Sequence, residues 1–201
     1  MLQPINNGAT TSMNEKMTIA VVYGSTRQGR FCDTVVNWVL TELWAESGIR
    51  VTLIDPQQLK GPAGEAAVNV AALEEKIAEA DAFIVVTPEY NHGYPAALKE
   101  LIDSCYEPWH AKPVAFISYG GLSGGLRAVE QLRQVFAELH TVTIRDTVSF
   151  SNVWSQFDAA GNPFKAAEAK AGLLVMLRRL MWWASALKAA RAENAYSGVA
   201  A

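Results

Sequence analysis

The sequence predicts an α/β fold in which one parallel sheet carries helices on both faces. Short runs of β-branched and aliphatic residues alternate along the chain with longer segments of helical periodicity. This alternation favours parallel pairing, because each helix supplies the crossover that a parallel strand needs. The first run, TIAVVY, is rich in β-branched and aliphatic residues, which suits a strand buried on both faces. With 201 residues, 50% of them hydrophobic, the chain can form one domain with a sizeable core.

Five runs predict the strands, and they stop at residues that disfavour extended structure. The first run, TIAVVY, stops at Gly24, and the third, AFIVVT, is broken at Pro88. The predicted strands are residues 18–23, 50–54, 82–87, 113–118 and 141–148.

Apolar residues at helical spacing fill the intervals between these strands. Val35, Val39 and Leu43 repeat at this spacing in the first helix, which is predicted to end near Gly48. The other predicted helices are residues 70–79, 96–106, a segment from the glycine cluster to about residue 139, and 164–192.

One domain over residues 18–192 accounts for these elements, with a disordered leader expected over 1–17 and a flexible tail over 193–201. The leader lacks the apolar core of a secretory signal, and no apolar stretch reaches the length of a membrane span. A net charge of −3 lacks the basic excess that nucleic-acid binding needs. We therefore expect a cytoplasmic protein without a membrane span or a nucleic-acid partner.

The remaining reactive side chains predict neither a metal site nor a disulfide. The three histidines are widely spaced, so they form no ligand cluster in the sequence. Cys32 and Cys105 lie outside any C-x-x-C motif and are expected to be buried thiols.

Function is expected at the carboxyl ends of the strands, where open parallel sheets bind their ligands. Three loops rich in glycine and polar residues meet there: residues 24–31, 88–95 and 119–125.

The first loop, GSTRQGR, has the residue types of a phosphate-binding turn at a helix start. Free backbone N–H groups and the positive end of the helix dipole attract a phosphate, and Ser25, Thr26, Arg27 and Arg30 add donors and charge. The loop matches neither G-x-x-x-x-G-K-[ST] nor G-x-G-x-x-G, which disfavours nucleoside triphosphates and dinucleotides. A single phosphomonoester is one interpretation, and a capped helix with solvated arginines is the other.

The second loop, TPEYNHGYP, is shaped by two prolines and a glycine. A planar ring could lie against it, bonded by Asn91 and by backbone N–H groups. The alternative is a tight turn that caps the following helix. His92 is interpreted as solvated rather than as an acid or base.

Together these two loops resemble those of the NADPH-dependent FMN reductases, which include quinone, azo-dye and metal-oxyanion reductases. The resemblance rests on Gly24-Ser-x-Arg27 after strand one and Pro88-Glu-Tyr-Asn91-x-Gly93 after strand three, and it covers about residues 19–139. It implies a flavodoxin-like three-layer sandwich with five parallel strands in the order 2-1-3-4-5. It also implies noncovalently bound FMN, with NADPH or NADH as the electron donor.

The resemblance further implies which residues contact FMN. The phosphate would lie on the first loop, the isoalloxazine on the second, and the third loop would line the other side. Many members have a serine and an asparagine where this chain has Arg30 and Cys32, so the phosphate contact there comes from Arg30 or from backbone N–H groups. No catalytic side chain is expected, because the flavin carries out hydride transfer. The implied cofactor-binding residues are Ser25, Arg27, Gly29, Arg30, Phe31, Cys32, Pro88, Glu89, Tyr90, Asn91, Gly93, Tyr119, Gly120 and Gly121.

The third loop contains Gly121-Leu-Ser123-Gly-Gly125, which fits the nucleophile-elbow pattern G-x-S-x-G of hydrolases. A hydrolase triad would need His140, the histidine that follows Ser123 in the chain. If one helix joins them, about 17 residues place them roughly 25 Å apart, too far for a triad. Ser123 is therefore interpreted as the N-cap of the following helix, and the glycines as one wall of a flavin cleft.

The expected function is transfer of electrons from NAD(P)H through FMN, by ping-pong hydride transfer, to a small acceptor such as a quinone, azo compound, free flavin or metal oxyanion. A flavodoxin-type electron carrier and a flavin-linked redox sensor are the alternatives. Carriers are commonly strongly acidic, and a net charge of −3 argues mildly against the first alternative.

Four tryptophans bear on acceptor access and on assembly. Trp109 and Trp154 are expected in loops by the cleft or an interface. In the last helix, Trp182 and Trp183 cannot share one stripe, so one of them faces either a second subunit or a broad core. The family resemblance suggests a homodimer or homotetramer.

Overall fold

The computed structural model describes residues 16–58 and 69–198, and its centre is a five-stranded sheet in the order β2-β1-β3-β4-β5. Every neighbouring pair of strands is parallel. The predicted fold class and strand order are confirmed. The strands are β1 (Met17–Tyr23), β2 (Ile49–Ile54), β3 (Ala82–Pro88), β4 (Pro113–Tyr119) and β5 (Val142–Phe150).

Five helices connect and follow the strands, as the alternating sequence pattern predicts. The third ends at Asp103, three residues before its predicted end, where the Ser104 N–H turns to the Leu101 carbonyl at 3.3 Å. Bonds of this tighter type commonly close a helix. The helices are α1 (Cys32–Trp44), α2 (Val70–Glu79), α3 (Ala96–Asp103), α4 (Leu126–Glu138) and α5 (Ala166–Glu193), with single 3-10 turns at Glu107–Trp109, Val153–Ser155 and Tyr196–Gly198.

Two hydrophobic cores lie on opposite faces of the sheet. Helices α1 and α5 cover one face, and α2, α3 and α4 cover the other. Because successive side chains of a strand point to opposite faces, Ile19 and Val21 join the first core while Ala20 and Val22 join the second. All residues of β3 and of β4 are buried, which explains why these strands are mostly apolar.

Trp109 belongs to the second core, so its expected place beside the cleft or an interface was wrong. Its side chain is fully buried, and its ring lies 4.6 Å from that of Phe83 and 5.5 Å from that of Phe136. Large aromatic rings add much to core packing because each buries a large apolar area. Trp109 therefore anchors the segment between α3 and β4.

The first strand and the last helix each extend one residue beyond the predicted limits of the domain. Met17 opens β1 and its N–H donates to the Gly48 carbonyl, while Glu193 is the last residue of α5. Most of the predicted leader and the end of the predicted tail lie outside the described residues. Among the described residues, no helix is both long and apolar enough to cross a membrane.

Candidate functional site

The loop between β1 and α1 begins with Gly24, whose backbone lies directly against β3. The Gly24 N–H donates to the Val86 carbonyl of β3 at 2.8 Å. A Cβ atom on Gly24 would lie 2.7 Å from that oxygen and 2.8 Å from the Thr87 Cα, a separation that side chains do not adopt. Glycine is therefore required here by backbone contact, and it sets where the loop leaves the sheet.

Several backbone N–H groups of this loop face no protein acceptor. Within the described chain, the N–H groups of Thr26, Gln28 and Gly29 make no hydrogen bond to another protein atom. The loop leads directly into α1, whose first turn starts at Cys32. Unpaired N–H groups at the positive end of a helix form a natural site for an anion.

Arg30 lies beneath this loop rather than in front of it. Its side chain is 5% exposed, and Nη1 and Nη2 donate to the two carboxylate oxygens of Asp55 at 2.8 and 2.6 Å. Nε donates to Asp33 at 2.9 Å, and Nη1 also donates to the Ser25 carbonyl at 2.5 Å. Burial alone would lower the pKa of Arg30, but these two carboxylates outweigh it and raise that pKa.

Arg27 and Ser25 both contact Tyr90 of the second loop. The exposed Arg27 guanidinium lies 3.5 Å from the centroid of the Tyr90 ring, a cation–π contact. The buried Ser25 Oγ is 2.8 Å from the Tyr90 hydroxyl, and it accepts the Arg27 N–H at 3.3 Å. Tyr90 thus joins the two loops.

The second loop, after β3, folds back in a tight two-residue turn. Tyr90 and Gly93 exchange backbone hydrogen bonds of 2.9 and 3.1 Å, and the two residues between them have positive φ, +50° for Asn91 and +71° for His92. This is the pattern of a type I′ turn, which asparagine and histidine tolerate better than most residues. The turn leaves the Asn91 side chain exposed at the sheet edge.

Glu89 ties the second loop to the third. Its carboxylate is 5% exposed, accepts the Ser123 hydroxyl at 2.8 Å and the Arg127 backbone N–H at 3.2 Å, and pairs with the Arg127 guanidinium at 2.5 Å. Burial alone would raise the pKa of Glu89, but the bonds from Arg127 and Ser123 outweigh burial and lower it. Arg127 Nη1 also lies 3.0 Å from His92 Nε2. Since an arginine only donates, His92 accepts through this nitrogen.

The interpretation of Ser123 as a helix N-cap was wrong. The first residue of α4 is Leu126, its N-cap is Gly125, and no side chain caps it. Gly125 has φ +84°, and a Cβ there would lie 2.8 Å from the Ser118 Cβ. The chain therefore turns on Gly125, and the Ser123 hydroxyl is free to bond Glu89 instead.

The three loops enclose a cavity of about 370 Å³ at the carboxyl edge of the sheet. All of the cofactor residues expected from the sequence line it except Ser25, Cys32 and Gly93. Ser25 is buried behind Tyr90, and Gly93 lies in the turn against Gln131. Cys32 lies below the cavity floor, where its thiol donates to the Val86 carbonyl at 3.5 Å and burial raises its pKa to about 11.

The segment after β5 also closes the cavity, and of its lining residues sequence reasoning singled out only Trp154, expected by the cleft or an interface. The N–H groups of Asn152 and Val153 donate to the carbonyls of Gly121 and Gly120, at 2.8 and 3.0 Å. Val153 and Trp154 then line the cavity, together with Gln28 of the first loop. The signal available was positional, because β5 ends at the same edge as β4. Trp154 is 71% exposed beside the cavity, which agrees with the first of its two expected places, the cleft or an interface.

The chain is similar in sequence to known proteins over most of its described residues. A family model described as NADPH-dependent FMN reductase matches residues 17–155. An NAD(P)H-dependent FMN reductase of Schizosaccharomyces pombe is 37% identical over 134 residues, which cover 58% of this chain and 64% of that protein. This chain thus spans slightly less than two thirds of that relative. An NADPH:quinone oxidoreductase of Arabidopsis thaliana is 33% identical over 168 residues, covering 77% of this chain and 85% of that protein.

Solved structures agree on the fold. A flavoenzyme NAD(P)H:acceptor oxidoreductase from Paracoccus denitrificans superimposes with a TM-score of 0.66 at 24% identity, covering 83% of this chain and 97% of that one. A flavodoxin from Pseudomonas aeruginosa superimposes with a TM-score of 0.53 at 20% identity, covering 86% and 99%. At these identities the likeness concerns the fold alone.

Proposed function

We propose that the cavity at the carboxyl edge of the sheet holds FMN, because the chain belongs to the NADPH-dependent FMN reductase family. With FMN bound, the protein would pass electrons from NAD(P)H to a small acceptor. As a member of this family the protein is an oxidoreductase with FMN and NAD(P)H as its cofactors. The observation that carries the assignment of the site is the set of unpaired N–H groups in the β1–α1 loop, at one end of a cavity walled by the other loops.

The β1–α1 loop fits a phosphomonoester by its donors. The N–H groups of Thr26, Gln28 and Gly29 are unpaired in the described chain, and α1 starts three residues beyond Gly29. Arg27 supplies the exposed positive charge, because Arg30 is neutralised by Asp55 and Asp33. Of the two phosphate contacts that the sequence left open, this supports the backbone N–H groups over Arg30.

The other loops fit a flat ring. Pro88, Glu89, Tyr90 and Asn91 line one side of the cavity, and Tyr119 to Gly121 line another. A Cβ on Gly121 would meet nothing within 4 Å, so this backbone borders open space in the cavity. We assign the isoalloxazine to this part of the cavity.

Bound FMN would accept a hydride from NAD(P)H and pass two electrons to the acceptor, so the chain needs only to bind and orient. His92 accepts a hydrogen bond from Arg127 and is thereby engaged in the loop structure. We therefore assign no catalytic side chain. The acceptor would enter the same cavity after the oxidised nicotinamide leaves, in two half-reactions, and quinones, azo compounds, free flavin and metal oxyanions are the classes proposed.

The test is a visible spectrum of the purified protein with added FMN, followed by NADPH and NADH oxidation with a panel of these acceptors. Flavin absorbance that co-elutes with the protein and acceptor-dependent oxidation are expected. A colourless protein that fails to retain added FMN would contradict the assignment.

An electron carrier is the second candidate function, and one observation favours it: the flavodoxin-like fold itself, which the chain shares with a flavodoxin from Pseudomonas aeruginosa. The same assay separates the two. A carrier would bind FMN yet oxidise NADPH negligibly, whereas the enzyme turns over repeatedly.

We also infer a homo-oligomer in which α5 contributes an interface. Trp182 and Trp183 are 65% and 37% exposed, and their rings contact each other edge to face at 5.2 Å. Exposed tryptophans on one helix are typical of protein contacts. Light scattering should give a mass of two or four chains, and Trp182→Glu should reduce it to one.

We also propose a cytoplasmic location, which cell fractionation tests.

A further inference from the structure

We propose that the buried Arg30–Asp55 ion pair, together with Gln57, positions the phosphate-binding loop and so extends the phosphate site to the turn after β2. This inference rests on the proposed function, because it concerns the phosphate of the same FMN. It makes Arg30, Asp55 and Gln57 positioning residues rather than phosphate ligands.

The Arg30 guanidinium is almost fully committed to protein acceptors. Four of its five N–H bonds are directed at Asp33, at the two oxygens of Asp55 and at the Ser25 carbonyl. The side chains of Arg30 and Asp55 are 5% and 4% exposed, and the guanidinium also lies 4.6 Å from the Tyr23 ring centroid. Moving Arg30 to a phosphate would leave the Asp55 carboxylate buried without its partner, which is costly.

The Arg30–Asp55 pair orients the phosphate-binding loop through the carbonyl of Ser25. Arg30 Nη1 holds the Ser25 carbonyl at 2.5 Å, on the side of the loop that faces Asp55. In a planar trans peptide, the carbonyl and the N–H of the next residue point in opposite directions. The Thr26 N–H is therefore turned away from Arg30, and it has no protein acceptor in the described chain.

Gln57 orients the next two peptide groups of the loop in the same way. Its side-chain amide donates to the Thr26 carbonyl at 3.0 Å and to the Arg27 carbonyl at 3.4 Å. The Arg27 N–H, opposite the first carbonyl, bonds the Ser25 hydroxyl at 3.3 Å, and the Gln28 N–H, opposite the second, is unpaired. Three consecutive carbonyls are thus held on the β2 side, which frees N–H groups on the other side.

The turn after β2 is itself a firm support. The Gln57 N–H donates to Asp55 Oδ1 at 3.0 Å, and the Gln58 N–H donates to the Asp55 carbonyl at 2.9 Å. Asp55 follows β2 directly, so its position is set by the pairing of β2 with β1. A loop held in its binding conformation before the ligand arrives loses less entropy on binding.

The decisive variant is Asp55→Asn, because a positioning role and a simple charge effect predict opposite changes in FMN affinity. Removing this carboxylate makes the loop region more positive, which by charge alone would strengthen binding of the FMN phosphate. If Asp55 positions the loop, FMN affinity instead falls by more than tenfold. Riboflavin, which lacks the phosphate, should change by less than threefold, so the FMN-to-riboflavin affinity ratio reports the effect on the phosphate site.

The experiment titrates the full-length apoprotein with FMN and with riboflavin and follows quenching of flavin fluorescence. Asp146→Asn is the matched control, since Asp146 pairs with Arg179 far from the loop and its loss should leave both affinities unchanged. Gln57→Ala removes only an exposed side chain, so folding should be retained, and the FMN-to-riboflavin ratio should fall about threefold. Arg30→Lys keeps the positive charge but loses the paired guanidinium contact with the two oxygens of Asp55. It should therefore lower the FMN-to-riboflavin affinity ratio as Asp55→Asn does.

Unchanged or stronger FMN binding in Asp55→Asn would overturn the inference while leaving the proposed function intact. If Asp55→Asn does not fold, Gln57→Ala decides, and an unchanged ratio there overturns the inference as well. Failure of the unaltered protein to bind FMN at all would instead count against the proposed function.

Discussion

Both ends of the sheet carry arginine and other polar side chains. The two ends differ in which of their hydrogen-bond donors already have a protein partner. At the amino ends of the strands, a cavity of about 660 Å³ is lined by Lys112, Arg191, His110 and His140 among others, and it is larger than the 370 Å³ cavity at the carboxyl ends. By size alone, the amino-end cavity would be the better candidate for a ligand site.

The charged donors at the amino end already have protein partners, whereas the buried Nε2 atom of His110 has none among the described residues. Lys112 Nζ donates to the carbonyls of Ile77 and Ala78 at 2.7 and 2.9 Å, and Arg191 donates to the Ala111 carbonyl at 2.5 Å. These contacts close the last turn of α2 and attach α5. Lys112 and Arg191 therefore serve the fold, which cavity volume does not reveal.

The carboxyl end differs, because backbone donors of its first loop are unpaired in the described chain, while Arg30 and Glu89 are held by charged partners and Arg27 is left exposed. The comparison teaches that a site is recognised by a set of backbone donors left without protein partners, rather than by how many charged residues line a cavity. Parallel sheets provide such donors at this edge, where helices begin.

The largest expected effect separates two glycines of the β4–α4 loop. Gly125→Ala should lower the free energy of unfolding by roughly 3 kcal/mol, since φ is +84° and the new Cβ would lie 2.8 Å from the Ser118 Cβ. Gly121→Ala, whose Cβ meets nothing within 4 Å, should leave stability unchanged and weaken FMN binding. Urea unfolding and FMN titration measure both. Equal destabilisation by the two changes would mean that Gly121 is also structural.

Arg27→Ala tests which end of the sheet binds the phosphate. Loss of a charge-assisted bond of about 1.5–3 kcal/mol should lower FMN affinity by roughly 10- to 100-fold. Arg191→Gln, at the amino end, is the control and should leave FMN affinity unaltered. The comparison breaks down if the control weakens FMN binding as much as Arg27→Ala does.

Lys112 should give the amino end a pH-dependent stability. Burial, and to a lesser extent Arg191, lowers the pKa of Lys112 to about 8 in the folded protein, although Asp81 acts in the other direction. Between about pH 8 and the usual lysine pKa of roughly 10.4, the unfolded chain binds more protons, so stability should rise with pH by at most about 1.4 kcal/mol per pH unit.

The measurement is urea unfolding at pH 8, 9 and 10 for the unaltered protein and for Lys112→Met. The variant lacks the titrating group, so its unfolding free energy should rise less over this range. Identical slopes would show that Lys112 keeps an ordinary pKa.

The smallest effect is expected for Ser123→Ala. The change removes one hydrogen bond to Glu89, which Arg127 continues to neutralise, so stability should fall by about 1 kcal/mol. NADPH oxidation should remain measurable, and its rate with each acceptor is the readout. Complete loss of activity in a folded variant would return Ser123 to consideration as a reacting group.

Parts of the site could be read from the sequence because they depend on local pattern. The two loop motifs placed Arg27, Tyr90 and Asn91 at one edge, where the structure has them lining a single cavity. The sequence could not choose between Arg30 and backbone N–H groups, since the choice depends on Asp55, 25 residues away in the turn after β2. Ser123 was misassigned for the same reason, because its partner Glu89 is 34 residues distant.

The sequence by itself determined the alternation of strands and helices, the burial of the central strands and the edge at which the polar loops meet. Those features follow from hydrophobic periodicity and from the rules of parallel sheets, which act over a few residues or on any chain of this pattern. Only the tertiary structure decided which polar group takes which partner. Strand order and register bring Asp55 under the first loop and Val153 against Gly120, and these long-range contacts decide which donors are left for a ligand.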